Sequence, residues 1–184
     1  MIRELTGREA EKVLDPVLLL PRAAWEELER KPRRIGEAPY LLLFFLGEIP
    51  EEYKKEIERI RARFGARVLN LNDPSDVDHY GASPEEFLWL IHHAQAVCTD
   101  SFHTSAFSLL FGTRLRVFPR KQQQFEDMFG RLHDLLSPLG LMHLAYGQSD
   151  GADLSTVLSP EAAGVLENER EKSLAYLRRS LGAE

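Results

Sequence analysis

Short apolar runs alternate along the chain with segments in which apolar residues recur every three or four positions. The clearest run is YLLLFFL at 40–46, and Gly47 closes it. A short run that is apolar at every position predicts a strand buried on both faces, as in a parallel sheet. Further short runs at 67–71, 96–99 and 115–118 predict three more strands, and 141–145 predicts a fifth.

The segments between these runs show helical periodicity and capping residues, which predict helices. After Pro50, four apolar residues recur at helical spacing, and Gly65 ends the pattern. The next helix is predicted to begin with a capping box, in which Ser83 caps the first turn and Glu86 returns a hydrogen bond. Three more helices are predicted over 101–111, over 123–136 and from Ser159 onward.

Strands that alternate with helices predict a doubly wound parallel sheet of the α/β class. Residues 1–38 are expected to form a lead-in segment with one short helix after Pro21, and residues 39–184 a single α/β domain. The last helix is predicted to close this domain with a buried stripe formed by Leu166, Leu174, Leu177 and Leu181.

Composition and charge narrow the classes of protein. The net charge of −6 argues against a nonspecific nucleic-acid binder. Cys98 is the one cysteine, which excludes an intrachain disulfide and fits a reducing cytoplasm. No apolar run approaches the ~20 residues that a membrane helix needs. We therefore expect a cytoplasmic protein with no nucleic-acid partner and no integral membrane segment.

The turns that follow the strands are the places to look for chemistry, because open parallel sheets bind ligands beyond the carboxyl ends of their strands. After the third predicted strand, Asp100 or Ser101 caps a helix whose first turn contains Phe102, His103 and Thr104. Free amide groups and the helix dipole make such a turn a natural anion site. His103 could there act as a general acid. A plain cap beside a surface histidine explains the pattern equally well.

Arg120 follows the fourth predicted strand and is expected to face the same crevice as His103. A guanidinium can hold a carboxylate or a phosphate through two hydrogen bonds. Taken alone, the pattern favours a solvated arginine beside Lys121.

The remaining histidines give weaker signals. Adjacent residues of a helix point to different faces, so His92 and His93 are not expected to share a metal ion. His79 lies in a polar loop at the edge of the predicted crevice, and His133 and His143 have no partner at metal-ligand spacing. No phosphate-binding loop, dinucleotide fingerprint or nucleophile elbow occurs in the sequence. We therefore expect no metal and no cofactor.

The stretch from Ser83 to Arg120, SPEEFLWLIHHAQAVCTDSFHTSAFSLLFGTRLRVFPR, resembles the signature region of the polysaccharide pyruvyl transferase family. Members read as an EFL-LI helix, a TDSFHG-like turn and a strand that ends in F-x-R. The lead-in VLDPVLLL and the closing helix are similar too, so the resemblance spans nearly the whole chain. The family usually has glycine after the histidine, where this chain has Thr104.

The resemblance implies a Rossmann-like half of a GT-B-like two-domain fold. It also implies transfer of a pyruvyl group from phosphoenolpyruvate to a sugar of a cell-surface polysaccharide, as a ketal. His103 would be the general acid, and Ser101, Phe102, Thr104 and Arg120 would bind the donor. Because the family carries a comparable half upstream, we expect this chain to be the carboxyl-terminal domain of a longer protein and inactive without its N-terminal partner domain.

Two other functions stay open at this stage. A GT-B-like glycosyltransferase domain would use a nucleotide-sugar and need a ribose-binding carboxylate, for which Glu48 and Asp73 are candidates. A non-catalytic α/β binding module would explain Thr104 as the mark of a decayed site. Binding of phosphoenolpyruvate or of a nucleotide-sugar distinguishes these functions.

Overall fold

Four parallel strands form the sheet in the computed structural model, which describes residues 2–7, 10–76, 78–120 and 127–182. The strands are β1 (Tyr40–Phe44), β2 (Arg67–Asn70), β3 (Ala96–Thr99) and β4 (Leu115–Val117). Their order in the sheet is β2-β1-β3-β4. In the register, Leu42 of β1 lies between Leu69 of β2 and Val97 of β3.

The described helices lie before, between and after these strands. They are α1 (Ile2–Thr6), α2 (Pro16–Leu19), α3 (Arg22–Glu26), α4 (Glu51–Phe64), α5 (Pro84–His92), α6 (Phe102–Phe111), α7 (Asp127–Leu136) and α8 (Pro160–Leu181). The first residues of the helix predicted over 123–136 lie outside the described ranges. None of the helices in these ranges combines the length and the apolarity needed to cross a bilayer.

Helices cover both faces of the sheet. Successive side chains of a strand point to opposite faces, so each strand contributes to both layers. Leu41 and Leu43 of β1 pack with the apolar stripe of α4, whereas Leu42 packs with α5 and α6. The chain therefore leaves β1 toward β2 on one side and returns toward β3 on the other. This is the predicted doubly wound, Rossmann-like α/β fold, with its switch point between β1 and β3.

The helix ends confirm the capping signals of the sequence. Ser83 accepts a hydrogen bond from the amide of Glu86, whose side chain returns one to the amide of Ser83. Ser101 caps α6. Gly65 ends α4 in the left-handed conformation, with φ 55°, which favours glycine.

The predicted fifth strand is wrong. Met142–Leu144 is a 3₁₀ turn, in which the amides of Leu144 and Ala145 donate to Leu141 and Met142. Within the described residues, β-pairing of this segment with the sheet is limited to one bridge, between Val117 and Ala145. Most apolar residues of this run are buried, but the amides of Leu144 and Ala145 donate to carbonyls of the same segment. A buried apolar run is therefore not always a strand.

The predicted leucine stripe of α8 is also wrong in part. Leu166, Leu174 and Leu177 are only half-buried, and Leu181 is 79% exposed. Ser173 is buried instead, and its hydroxyl accepts a hydrogen bond from the amide of Leu14 at 3.0 Å. The helix therefore docks on the lead-in through a polar contact, and its last turn projects beyond the packed body.

Residues 1–38 pack against the α/β domain. Val17 and Leu18 of α2 are buried in the same core as β1 and α6. The indole of Trp25 donates to the carbonyl of Val17 at 3.0 Å and meets the ring of Phe107 edge-on, with 5.0 Å between ring centres. The lead-in therefore contributes to the core that supports α6.

Candidate functional site

The candidate site lies at the switch point, where the carboxyl ends of β1 and β3 separate. Asp100, directly after β3, accepts a hydrogen bond at 2.7 Å from the amide of Leu46, which follows β1. This bond ties together the two turns that flank the crevice. Doubly wound sheets bind their ligands in this position.

The first turn of α6 presents free amide groups to this edge. Ser101 Oγ accepts from the amide of Thr104 at 3.4 Å, and the amide of Ser101 donates to Thr99 Oγ1 at 3.0 Å. The amides of Phe102 and His103 have no acceptor among the described residues. At the positive end of a ten-residue helix, such groups attract anions.

The side chains of this turn differ sharply in exposure. His103 is the exposed one, with 58% of its side chain open to solvent, and Phe102 is half-buried. Ser101 and Thr104 are buried, and the Thr104 hydroxyl has no hydrogen-bond partner among the described residues. The Thr104 side chain therefore points into the core, and it does not narrow the approach to the helix end.

His103 meets a carboxylate that the sequence did not single out. Its Nε2 lies 3.4 Å from Oδ2 of Asp15, whose Oδ1 accepts the amide of Val17 and so caps α2. A guanidinium nitrogen of Arg131 lies 3.8 Å from the same Oδ2. The Asp15-Pro16 pair signals a helix start, but no local pattern reveals that this helix start faces His103.

A pocket of about 530 Å³ opens beside this turn, between the lead-in, α7 and α8. Phe102 forms part of its wall, and the guanidinium of Arg131 lies 4.4 Å from the centre of the Phe102 ring. Lys12 and Asp134 pair across the rim at 2.6 Å. The remaining lining is mainly apolar and includes Leu14, Leu18, Leu135, Leu139, Val165 and Leu166.

Arg120 lies at the same edge of the sheet, after β4, and is anchored on Asp100. Its Nε donates to Asp100 Oδ2 at 3.0 Å, and both side chains are largely buried. Its Nη1 donates to no acceptor among the described residues. Gly47 lies beside the pair, where an added Cβ would make ordinary van der Waals contact with Arg120 Cγ at 3.5 Å. No hydrogen bond or ring contact within the described ranges joins Arg120 to His103.

Of the other titratable groups that the structure describes near this edge, all but Glu48 are hydrogen-bonded or buried. Tyr53 donates to the carbonyl of Pro119 at 2.9 Å, and burial raises its pKa to about 12, so the phenol stays neutral. Burial raises the pKa of the Cys98 thiol, which makes it unreactive. Asp73 accepts from the amide and hydroxyl of Ser75, which lower its pKa, and Glu48 is exposed.

The expectation that the side chains of His92 and His93 point to different faces is wrong. His93 is the C-cap of α5, with φ −96° and ψ 5°, so it departs from helical geometry. As a result both rings meet Glu29: His92 Nδ1 lies 2.9 Å from Oε2, and His93 Nε2 lies 3.2 Å from Oε1. His79 instead pairs with Asp76 inside its loop at 2.8 Å.

Comparison with known proteins adds one match. A search of curated proteins found none that matches this chain. The sequence model of the family described as polysaccharide pyruvyl transferase matches residues 2–122, which is well over half of the 184 residues. The match includes all four strands, the His103 turn and Arg120, and it ends before α7 and α8. The chain therefore belongs to the polysaccharide pyruvyl transferase family, whose members are transferases that act on saccharides.

Proposed function

We propose that this chain is the donor-binding domain of an enzyme that transfers the pyruvyl group of phosphoenolpyruvate to a saccharide as a ketal, with the donor bound at the α6 turn. The observation that carries the proposal is the placement of His103. It is exposed on the first turn of α6, at the switch point of the sheet, beside two amides that have no acceptor within the described part of the chain. A proton donor next to an anion site is what this reaction requires.

The donor carries two anionic groups, a phosphate and a carboxylate. The amides of Phe102 and His103 offer hydrogen bonds to one of them. Arg120 offers the other a guanidinium whose Nε is already fixed by Asp100. This contact preorients its Nη1, which has no acceptor among the residues that the structure describes. Ser101 and Thr104 serve the same site indirectly, because the hydroxyl of Ser101 holds the turn in shape through the amide of Thr104.

The chemistry begins with proton transfer. The His103 imidazolium gives its proton to the methylene carbon of phosphoenolpyruvate, which becomes a methyl group and leaves a cationic centre at the neighbouring carbon. A saccharide hydroxyl attacks that carbon, and its proton returns to the His103 imidazole. The C–O bond to phosphate then breaks, and a second hydroxyl attacks the same carbon to close the ketal while its proton leaves with the inorganic phosphate. The positive charge around the phosphate stabilises it as it leaves.

Asp15 supports this role of His103. Its carboxylate oxygen, 3.4 Å from Nε2, compensates the charge of the ring when it carries a proton and favours one ring orientation. The carboxylate itself is fixed by the cap that it forms on α2. The lead-in thereby contributes a positioning residue to the proposed site.

Calorimetric titration with phosphoenolpyruvate tests the proposal, with UDP-glucose as the comparison ligand. The wild-type chain should bind phosphoenolpyruvate, whereas His103→Ala and Arg120→Lys should weaken the affinity by about 10- to 100-fold, the usual effect of losing a hydrogen bond to a charged group. Arg120→Lys keeps a positive charge beside the buried Asp100, so the fold is preserved.

His133→Ala is the matched control, because it removes an exposed histidine from α7 and should leave the affinity unchanged. Wild-type affinity in both site variants would contradict the proposed site. Binding of UDP-glucose but not of phosphoenolpyruvate would favour the glycosyltransferase alternative. Binding of neither ligand would favour a non-catalytic module.

A further inference from the structure

Three side chains with metal-binding chemistry converge at the edge of the sheet opposite the α6 turn. Glu29 follows α3, and His92 and His93 end α5 directly before β3. We propose that these three residues, called the Glu29 cluster below, bind one Zn²⁺ ion. The proposal is independent of the pyruvyl transfer proposed above.

The geometry of the Glu29 cluster is close to that of a loaded site. One ligand atom from each residue lies within 4.8 Å of the other two. Zinc holds imidazole nitrogens and carboxylate oxygens at about 2.0–2.2 Å, which places ligand atoms roughly 3.4 Å apart in a tetrahedron. The observed separations of 2.9 Å and 3.2 Å from Glu29 to the two histidines are therefore compatible with an ion after small side-chain shifts.

Aromatic packing holds both imidazoles in place. The His92 ring stacks on Phe111, with 4.6 Å between ring centres and 15° between planes. The His93 ring stacks on Trp89, with 4.3 Å and 21°. His92 and Glu29 are each less than one-fifth exposed, whereas His93 borders solvent. The ligands are thus preordered, and an ion can enter from the side of His93.

The second nitrogen of His92 has a carboxylate within reach. Arg22 Nη2 lies 2.9 Å from His92 Nε2, and His92 Nδ1 faces Glu29. Glu26 Oε1 lies 3.7 Å from the same Nε2 and can accept a hydrogen bond from it after Arg22 turns aside. Metal-bound histidines usually have such a carboxylate partner.

The donor set selects the kind of metal. Two imidazoles and one carboxylate suit zinc and its first-row neighbours, whereas magnesium and calcium prefer oxygen ligands alone. The three protein ligands found among the described residues leave the fourth zinc position to water.

The ion would connect two parts of the chain. Glu29 belongs to the lead-in segment of residues 1–38, whereas the two histidines belong to the α/β domain. A ligand that binds only the folded arrangement stabilises it. We therefore expect zinc to raise the thermal stability of the whole chain by tying α3 to the end of α5.

The test is a Zn²⁺ titration of the whole chain by calorimetry, combined with thermal unfolding in zinc, in magnesium and in a chelator. We expect one zinc ion per chain and a higher unfolding temperature in zinc alone. Glu29→Gln and His93→Ala should each weaken zinc affinity by more than about 10-fold, the loss seen even for outer-shell partners. His133→Ala, outside the cluster, should bind as the wild type does.

Two further measurements make the test decisive. Far-UV circular dichroism in chelator should show that Glu29→Gln and His93→Ala are folded, since His93 is partly exposed and glutamine preserves the shape of Glu29. Sedimentation should show that zinc does not dimerise the chain. The proposal is overturned if wild-type chain takes up no zinc, if both cluster variants keep wild-type affinity, or if zinc binds only between two copies.

Discussion

At the scale of single residues, buried charges occur in pairs that join elements far apart in sequence. Asp100 holds Arg120 at the switch point. Arg116 of β4 is 2% exposed, and its Nε lies 3.1 Å from Glu56 of α4. Burial lowers the pKa of Arg116, and Glu56 opposes that effect. Each pair leaves a costly buried charge if one member is removed.

Glu56→Gln should therefore destabilise the fold by about 3–5 kcal/mol, because it strips a buried arginine of its counter-charge. Glu58→Gln, in the same helix, removes an exposed partner of Arg61 and should cost far less stability. Urea denaturation of both variants measures the difference. Equal small losses would show that Arg116 does not depend on Glu56.

Thr104→Val should stabilise the chain by about 1 kcal/mol, because it replaces a buried hydroxyl that has no partner among the described residues with a methyl group. Thr104→Gly, which restores the residue usual in the family, should destabilise it by opening a cavity and loosening α6. Because the side chain points inward, we expect neither change to alter phosphoenolpyruvate affinity. Denaturation and calorimetry test these two statements separately.

At the scale of elements, local signals were sufficient wherever a helix end is made by neighbouring residues. The Ser83 capping box, a cap of α6 at Asp100 or Ser101 and the end of α4 at Gly65 are all predicted from a few adjacent positions, and the structure places the α6 cap at Ser101. The strand prediction for 141–145 was wrong, because apolar residues indicate burial and do not indicate which hydrogen bonds the backbone makes. Capping is a local property, whereas strand pairing depends on a distant partner.

Ser83→Ala should cost about 1 kcal/mol, because it removes the acceptor of the Glu86 amide at the start of α5. Ser83→Asp keeps a capping oxygen and should retain most of the stability. Thermal unfolding compares the two variants. A loss of equal size in Ser83→Asp would assign the effect to the hydroxyl's second bond, to Glu85.

At the scale of the whole molecule, the lead-in and the sheet share one core. Leu18 of α2 is 2% exposed and packs in the cluster that contains β1, β3 and α6. Asp15, three residues earlier, contacts His103. Loosening the lead-in is therefore expected to weaken both the fold and the proposed site.

Leu18→Ala should lower the free energy of unfolding by about 2–5 kcal/mol, as is typical for a leucine removed from a packed core. Leu20→Ala changes the same kind of side chain two residues away, but it is 45% exposed and should cost much less. Chemical denaturation gives both values. If Leu18→Ala behaved as Leu20→Ala does, the lead-in would be peripheral.

Stability should fall at alkaline pH. Burial raises the pKa of Tyr40, of Tyr53 from 10.0 to about 12, and of Cys98. A folded-state pKa above the unfolded value gives stability that is full below the unfolded pKa and lost as pH rises through the folded one. The free energy of unfolding should therefore decline from about pH 10 toward pH 12.

Tyr53→Phe should make this alkaline decline shallower, because it removes one of the groups that ionises more easily in the unfolded chain. Tyr80→Phe, which changes an exposed tyrosine, should leave the slope unchanged. Urea denaturation at a series of pH values measures both slopes. An unchanged slope in Tyr53→Phe would assign the alkaline loss to other groups.

The order of residues along the chain is enough to predict the α/β class, the places where most helices begin and end, and the position of His103 on the first turn of α6. These features follow from periodicity and capping within a few residues. Three contacts needed the folded chain: Asp15 faces His103, Asp100 anchors Arg120, and Glu29 meets two adjacent histidines. Each of these contacts joins residues that are far apart along the chain, and packing of the elements brings them together.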